Sequence, residues 1–205
     1  GYVTLSGRGS DIDLANIAGE VNIRGDYTGT VGLREIANAV HFTDRRSDFA
    51  VARVPGQITL DRGSVHVENV IGPLKLVAHA SDVSISGFTD ALNVAVDRGD
   101  VDLRPQRLPL GNMVVHTSAG DIELALPQNA NFAISAITDR GEIENDFGDG
   151  LKENAERHRC RLDGAVGSNG PYLNLVTNRG TIKIRKANAS GTEAHNGGEA
   201  LALRR

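Results

Sequence analysis

The sequence predicts an all-β fold: a parallel β-solenoid (β-helix) of about nine coils of ~18 residues, with two main strands per coil. Three observations predict it. A turn-plus-strand string keeps returning, two ladders of apolar residues interlock along the chain, and apolar and polar residues alternate within short stretches.

The string is DRGDVDL at 97–103, with relatives DRGSVHV from Asp61, SAGDIEL from Ser118, DRGEIEN from Asp139 and NRGTIKI from Asn178. The first apolar residue of each unit gives the series Ile12, Val31, Phe49, Val65, Val83, Val101, Ile122, Ile143 and Ile182. Neighbours stand 19, 18, 16, 18, 18, 21, 21 and 39 residues apart. A second series, Val3, Val21, Val40, Ile58, Leu74, Leu92, Val114, Phe132 and Leu173, runs about nine residues out of phase with it. Both series take their one long step in the same place.

Each element is short and alternating: Val-Asn-Ile at 21–23, Ile-Thr-Leu at 58–60, Leu-Lys-Leu at 74–76. Period-two alternation buries one face and leaves the other wet, and the β-branched inward residues suit strands. Gly, Asp and Ser at the turns supply the corner conformations. Coils stacked at ~4.8 Å make a rod roughly 40 Å long. A left-handed hexapeptide helix is the rival, because Val65, Ile71, Val77 and Val83 fall six apart. Its expected glycines are missing, and Leu74 and Leu76 form the better strand.

Residues 1–186 are expected to form the solenoid. Within it, an insertion or cap at about 145–171 breaks the period, its charged first half forming a short helical turn. Residues 187–205 read as a flexible polar tail.

With 205 residues, one domain with a real core is expected. A net charge of −4 without a basic run argues against nucleic acid. The single Cys160 excludes a disulfide framework and a cysteine zinc cage. No apolar run is long enough for a membrane span. The repeat is under way by Val3 of a chain that begins at Gly1, so the chain reads as part of a longer protein with a leader or membrane anchor before it.

The end of the chain carries a family resemblance. Gly141-Glu142-Ile143-Glu144-Asn145-Asp146-Phe147 is followed by the Gly-rich corner Gly164-Ala165-Val166-Gly167-Ser168-Asn169-Gly170. Leu173-Asn174-Leu175 and Thr177-Asn178-Arg179-Gly180-Thr181-Ile182-Lys183-Ile184 close it. This resembles the adhesin-type domain of the DUF4097 β-strand-repeat family over about residues 3–186. The resemblance implies a β-solenoid module of the bacterial envelope or a secreted one, and brings no catalytic residues.

The most regular polar feature is a column immediately before the first apolar series: Asp11, Asp48, Asp82, Asp100, Asp121 and Glu142. Arg46, Arg62, Arg98, Arg140 and Arg179 stand two places further back and are expected to offset the stacked negative charge. Two readings of the acids are open. They close corners by accepting backbone N–H groups, or they form a cation- or glycan-binding edge. Calcium would need six to eight converging oxygens, which a linear ladder offers poorly, so no metal or cofactor is expected.

Outward residues Asp13, His66, Ser84, Asp102, Glu123 and Glu144 are assigned to one sheet, and Asn22, Thr59, Lys75, Asn93 and Asn174 to the other. Six scattered histidines show no ligand spacing, and Arg24-Gly25-Asp26 and Arg98-Gly99-Asp100 are taken as corner chemistry. The expectation is a non-enzymatic, extracytoplasmic binding or scaffold module, adhesin-like or linked to envelope stress, whose partner is an envelope protein or surface polymer. Its oligomeric state is left open. A bactofilin-like self-assembling protein and a polysaccharide-acting β-helix enzyme are the alternatives.

Overall fold

Alternating Val, Ile and Leu make each short segment a strand with one apolar face, which is buried when the strands pair into sheets that pack face to face. In the computed structural model, which describes residues 1–105, 107–156 and 158–187, the described residues form nineteen strands. The tail expected at 187–205 lies outside the described residues except for Ala187.

In chain order the strands begin β1 (Val3–Gly9), β2 (Ile12–Ile17), β3 (Val21–Tyr27), β4 (Val31–Ile36), β5 (Val40–Thr43) and β6 (Ser47–Asp61). There follow β7 (Ser64–Glu68), β8 (Ile71–Ala78), β9 (Asp82–Ser86), β10 (Leu92–Arg98), β11 (Val101–Arg104), β12 (Met113–Ala119) and β13 (Ile122–Pro127). The last are β14 (Phe132–Thr138), β15 (Ile143–Asn145), β16 (Leu151–Glu156), β17 (Arg159–Val166), β18 (Tyr172–Thr177) and β19 (Ile182–Ala187).

They fall into two ladders that share β6. Ladder A runs β1, β3, β5, β6, β8, β10, β12, β18, β14, β17, β16. Ladder B runs β2, β4, β6, β7, β9, β11, β13, β19, β15. The inward residues of both form one core, from Val21 and Val31 through Leu76, Val83 and Val101 to Leu175 and Ile184.

Through most of the molecule the pairing is parallel with an 18- to 21-residue step. Val65 faces Val83 and Val83 faces Val101. Ile71 is 38% exposed, so the six-residue phase of the rival helix is not the buried one.

Three expectations are corrected. The stack is not parallel throughout. β6 runs backward, antiparallel to β5 and β8 in ladder A and then to β4 and β7 in ladder B. Phe49 therefore packs in ladder A, stacked on Phe42 with ring centroids 5.1 Å apart, and Ile58 lies in ladder B. The two series exchange partners for one layer.

The closing layers are out of chain order. β18 sits between β12 and β14, and β19 between β13 and β15, so Ile182 separates Ile122 from Ile143. The segment that breaks the period is also not helical beyond one 3₁₀ turn at Gly148–Gly150. It is a β-hairpin, β16–β17, laid antiparallel along β14. Leu151 and Leu162 are buried there, and Phe147 meets Phe132 edge-on at 5.0 Å.

Candidate functional site

The acidic column exists, and its carboxylates are engaged with the next layer. Asp11 Oδ1 accepts the Thr30 N–H at 2.8 Å, and Asp82 Oδ1 accepts that of Asp100 at 2.9 Å. Asp100 Oδ1 accepts the Asp121 N–H at 2.8 Å, and Asp121 Oδ1 that of Thr181 at 2.7 Å. Each acid thus satisfies a corner donor that the strand ladders leave free, which is the structural reading of the two. A charge-assisted bond of this kind also relieves the repulsion between stacked carboxylates.

Two members depart from the pattern. Asp48 stands on the reversed strand in ladder A, opposite Thr43 and Val77, and its place in the column is taken by Asp61, which accepts the Thr30 hydroxyl at 2.7 Å. Glu142 belongs to the outermost layer, where its carbonyl accepts the Ile182 N–H at 2.9 Å. The arginines do not interleave: among the described residues Arg62, Arg98, Arg140 and Arg179 form no ion pair. Arg46 pairs with Asp44, outside the column, at 3.5 Å and reaches the Tyr27 carbonyl at 2.7 Å.

The sequence reading missed a second column, of fully buried threonines. Thr117 donates to the Gly99 carbonyl, Thr177 to that of Gly120 at 3.0 Å, and Thr138 to that of Gly180 at 2.8 Å. Each stands three residues before the glycine of its own corner, and this Thr-x-x-Gly spacing was the available signal. The glycines beside them are packed to the limit. A Cβ on Gly120 would lie 2.0 Å from the Gly99 oxygen, and φ is +150°.

The two outer faces differ in chemistry. Across ladder B the outward row reads Thr59, His66, Ser84, Asp102, Glu123, Lys183, Glu144, which moves Thr59 from the face first assigned to it. Its charges are paired locally: Arg34 with Asp13 at 2.9 Å, Arg104 with Asp102 at 2.7 Å, and Arg185 with Glu144 and Asp146. The Asp102 carboxylate, by hydrogen bond and charge, raises the Arg104 guanidinium above its ordinary value.

A cleft of about 280 Å³ opens on this face beside His66, Ser84, Asp82, Asp100 and Asp102. It does not assemble a relay. The serine lies between the histidine and the aspartate, and Asp102 is held by Arg104. Among the described residues no group of three or more His, Cys, Asp or Glu is placed to hold a metal ion.

Across ladder A the outward row reads Asn22, His41, Ala50, Lys75, Asn93, Val114, Asn174, Ser135. The alanines at 39, 50, 52 and 91 lower the surface between taller neighbours and leave a shallow trough of about 520 Å³. Its rim carries His41, Lys75, Asn93 and Asn112, no carboxylate lines it, and Val114 beside it is 44% exposed. Arg24-Gly25-Asp26 is not a corner: it lies inside β3, where a Cβ on Gly25 would meet the Gly7 oxygen at 2.1 Å.

A stack of short strands with Gly- and Asp-built corners defines a class of all-β repeat proteins. The family described as Toastrack DUF4097 matches residues 3–185, and the chain belongs to it. Among curated proteins none matches. Among solved structures the chain is similar to that of a "putative cell adhesion protein" from Clostridium sporogenes ATCC 15579, with 12% identity and a TM-score of 0.40 over 90% of this chain and 93% of the other.

Proposed function

We propose that this chain is a β-solenoid module that works outside the cytoplasm by non-covalent binding, in the manner of an adhesin, and carries out no chemistry of its own. The observation that carries the reading is the division of labour between its surfaces. Four acids of the column, Asp11, Asp82, Asp100 and Asp121, hold backbone N–H groups of the next layer. The ladder A trough offers apolar surface bordered by His41, Lys75 and Asn93, with Asn112 at one end accepting the Tyr172 N–H at 2.9 Å.

The trough suits a partner that brings apolar groups and negative charge to meet Lys75 and His41, on an envelope protein or a surface polymer. The absence of carboxylates from its lining favours this, on a chain whose net charge is −4. Self-assembly end to end is disfavoured at the β16 end, where Lys152, Glu153 and Glu156 stand exposed along the edge strand.

Purified peptidoglycan, which carries free carboxylates, is the first probe. Binding is expected to fall at least tenfold on Ala50→Arg, which fills the trough, and on Lys75→Glu. It is expected to stay unchanged on Ser84→Arg of the other face. Equal binding by all three variants and the parent, or no binding by the parent, would contradict the assignment of this face to this polymer.

A further inference from the structure

The most informative irregularity is the position of the final layer. β18–β19 lies between two layers that are consecutive in the chain, β12–β13 and β14–β15. The displaced layer nevertheless carries the same contact set as the one that displaced it. Thr138-Asp139-Arg140-Gly141-Glu142-Ile143 repeats the spacing of Thr177-Asn178-Arg179-Gly180-Thr181-Ile182.

Thr177 donates to the Gly120 carbonyl, and Thr138 makes the identical bond one layer out, to Gly180. Gly120 N–H donates to the Arg179 carbonyl, and Gly180 N–H to its counterpart, Arg140. The Ile122 N–H meets the Thr181 carbonyl just as the Ile182 N–H meets that of Glu142.

The connection from β13 to β14 agrees. Only residues 128–131 join them, although β14 lies two layers along. Elsewhere a step of a single layer uses residues 18–20 between β2 and β3, or 87–91 between β9 and β10. The linker therefore has the length of a one-layer step.

We propose that the stack can close without its last layer. In a second packing β14–β15 docks directly on β12–β13, with Ile143 on Ile122 and Thr138 on the Gly120 carbonyl. β18–β19 then enters by displacing it, a strand insertion into a preformed ladder. The second packing keeps the corner bonds of β14–β15 but gives up one interface on each ladder and the burial of Leu173, Leu175, Ile182 and Ile184. It is therefore the less stable of the two and forms only before the last layer enters. The exchange makes residues 172–187 a separable, late-ordering layer.

Cysteine pairs read the two packings directly. Outward residues Glu123, Lys183 and Glu144 lie in register on successive strands. Residues 123 and 183 are one strand apart, roughly 4.8 Å, within disulfide reach, whereas 123 and 144 are two strands apart, roughly 9.6 Å, and beyond it.

In a Cys160→Ser background, full-length Glu123→Cys/Glu144→Cys and Glu123→Cys/Lys183→Cys chains are refolded from urea and pulsed with oxidant after increasing delays. The expected result is an early 123–144 crosslink, at least fivefold above its yield from both the unfolded and the native chain, that declines as the 123–183 crosslink rises. A 123–144 yield that never exceeds those two references, while 123–183 forms normally, overturns the proposal. Val114→Cys/Ser135→Cys against Val114→Cys/Asn174→Cys reports the same exchange on ladder A, and keeps the test readable should the first pair impair folding.

Discussion

The triplet Asp-Arg-Gly does one job at 97–99 and another at 61–63. At Gly99 the chain turns a corner and continues into a parallel layer. The glycine is pressed so tightly that a Cβ would sit 2.1 Å from the Ser81 oxygen. At Gly63 the same three residues form a two-residue hairpin that closes between Asp61 and Ser64 and sends the chain back the way it came. Gly63 has φ +107° but open space around it. One glycine is required by packing as well as by backbone angle, the other by backbone angle alone. A motif therefore fixes a turn without fixing the direction in which the next strand runs.

Substitutions can widen or collapse that contrast. The largest effect is expected for Gly120→Ala, where a forbidden φ and a 2.0 Å clash with a backbone oxygen combine. A loss of about 3 kcal/mol or more is expected in urea unfolding. Gly63→Ala should lose about 1–2 kcal/mol, the left-handed backbone penalty alone. Similar losses at the two sites would erase the distinction.

Next comes the acidic column. Asp121→Ala removes the acceptor of the Thr181 N–H and should lower stability by roughly 2 kcal/mol. Asp48→Ala, on the reversed strand, should fall within about 0.5 kcal/mol of the parent. Thr177→Val keeps the buried shape but deletes the bond to Gly120, and should lose about 1 kcal/mol, read by the same melts.

The smallest effect belongs to the hairpin that ends ladder A. The Arg161 side chain bonds the Asp163 carboxylate and lowers its pKa below the ordinary carboxylate value. Because the folded value is the depressed one, the contribution is present at neutral pH and lost as pH falls through that value. Asp163→Asn should therefore melt slightly lower than the parent at pH 7 and coincide with it in strong acid. A gap that persists at low pH would assign the difference to something other than charge.

The fold was legible wherever direction did not matter. The alternation, the step of ~18 residues and the column Asp82, Asp100, Asp121 all follow from stacking identical turns, and the structure places them so. The reversal of β6 was hidden because an antiparallel layer has the same side-chain period and here the same length. Its traces were the Asp44 turn, whose carboxylate accepts the Arg46 and Ser47 N–H groups, and the Arg62-Gly63 pair. The exchanged closing layers were hidden for the opposite reason, since the strings at 138–143 and 177–182 are interchangeable. The trough was illegible because it arises from alanines on or beside three strands, β5, β6 and β10, which only the register brings together.

Backbone hydrogen exchange in the Asp121→Ala chain tests the role of the column most directly. In the parent, the Thr30, Asp100, Asp121 and Thr181 amides should exchange slowly although they lie at corners. The substitution should release Thr181 by at least tenfold and leave Thr30 as it was. Fast exchange at all four amides in the parent, or an unmoved Thr181 in the variant, would mean that these carboxylates do not hold the layers together and stand free for some other use.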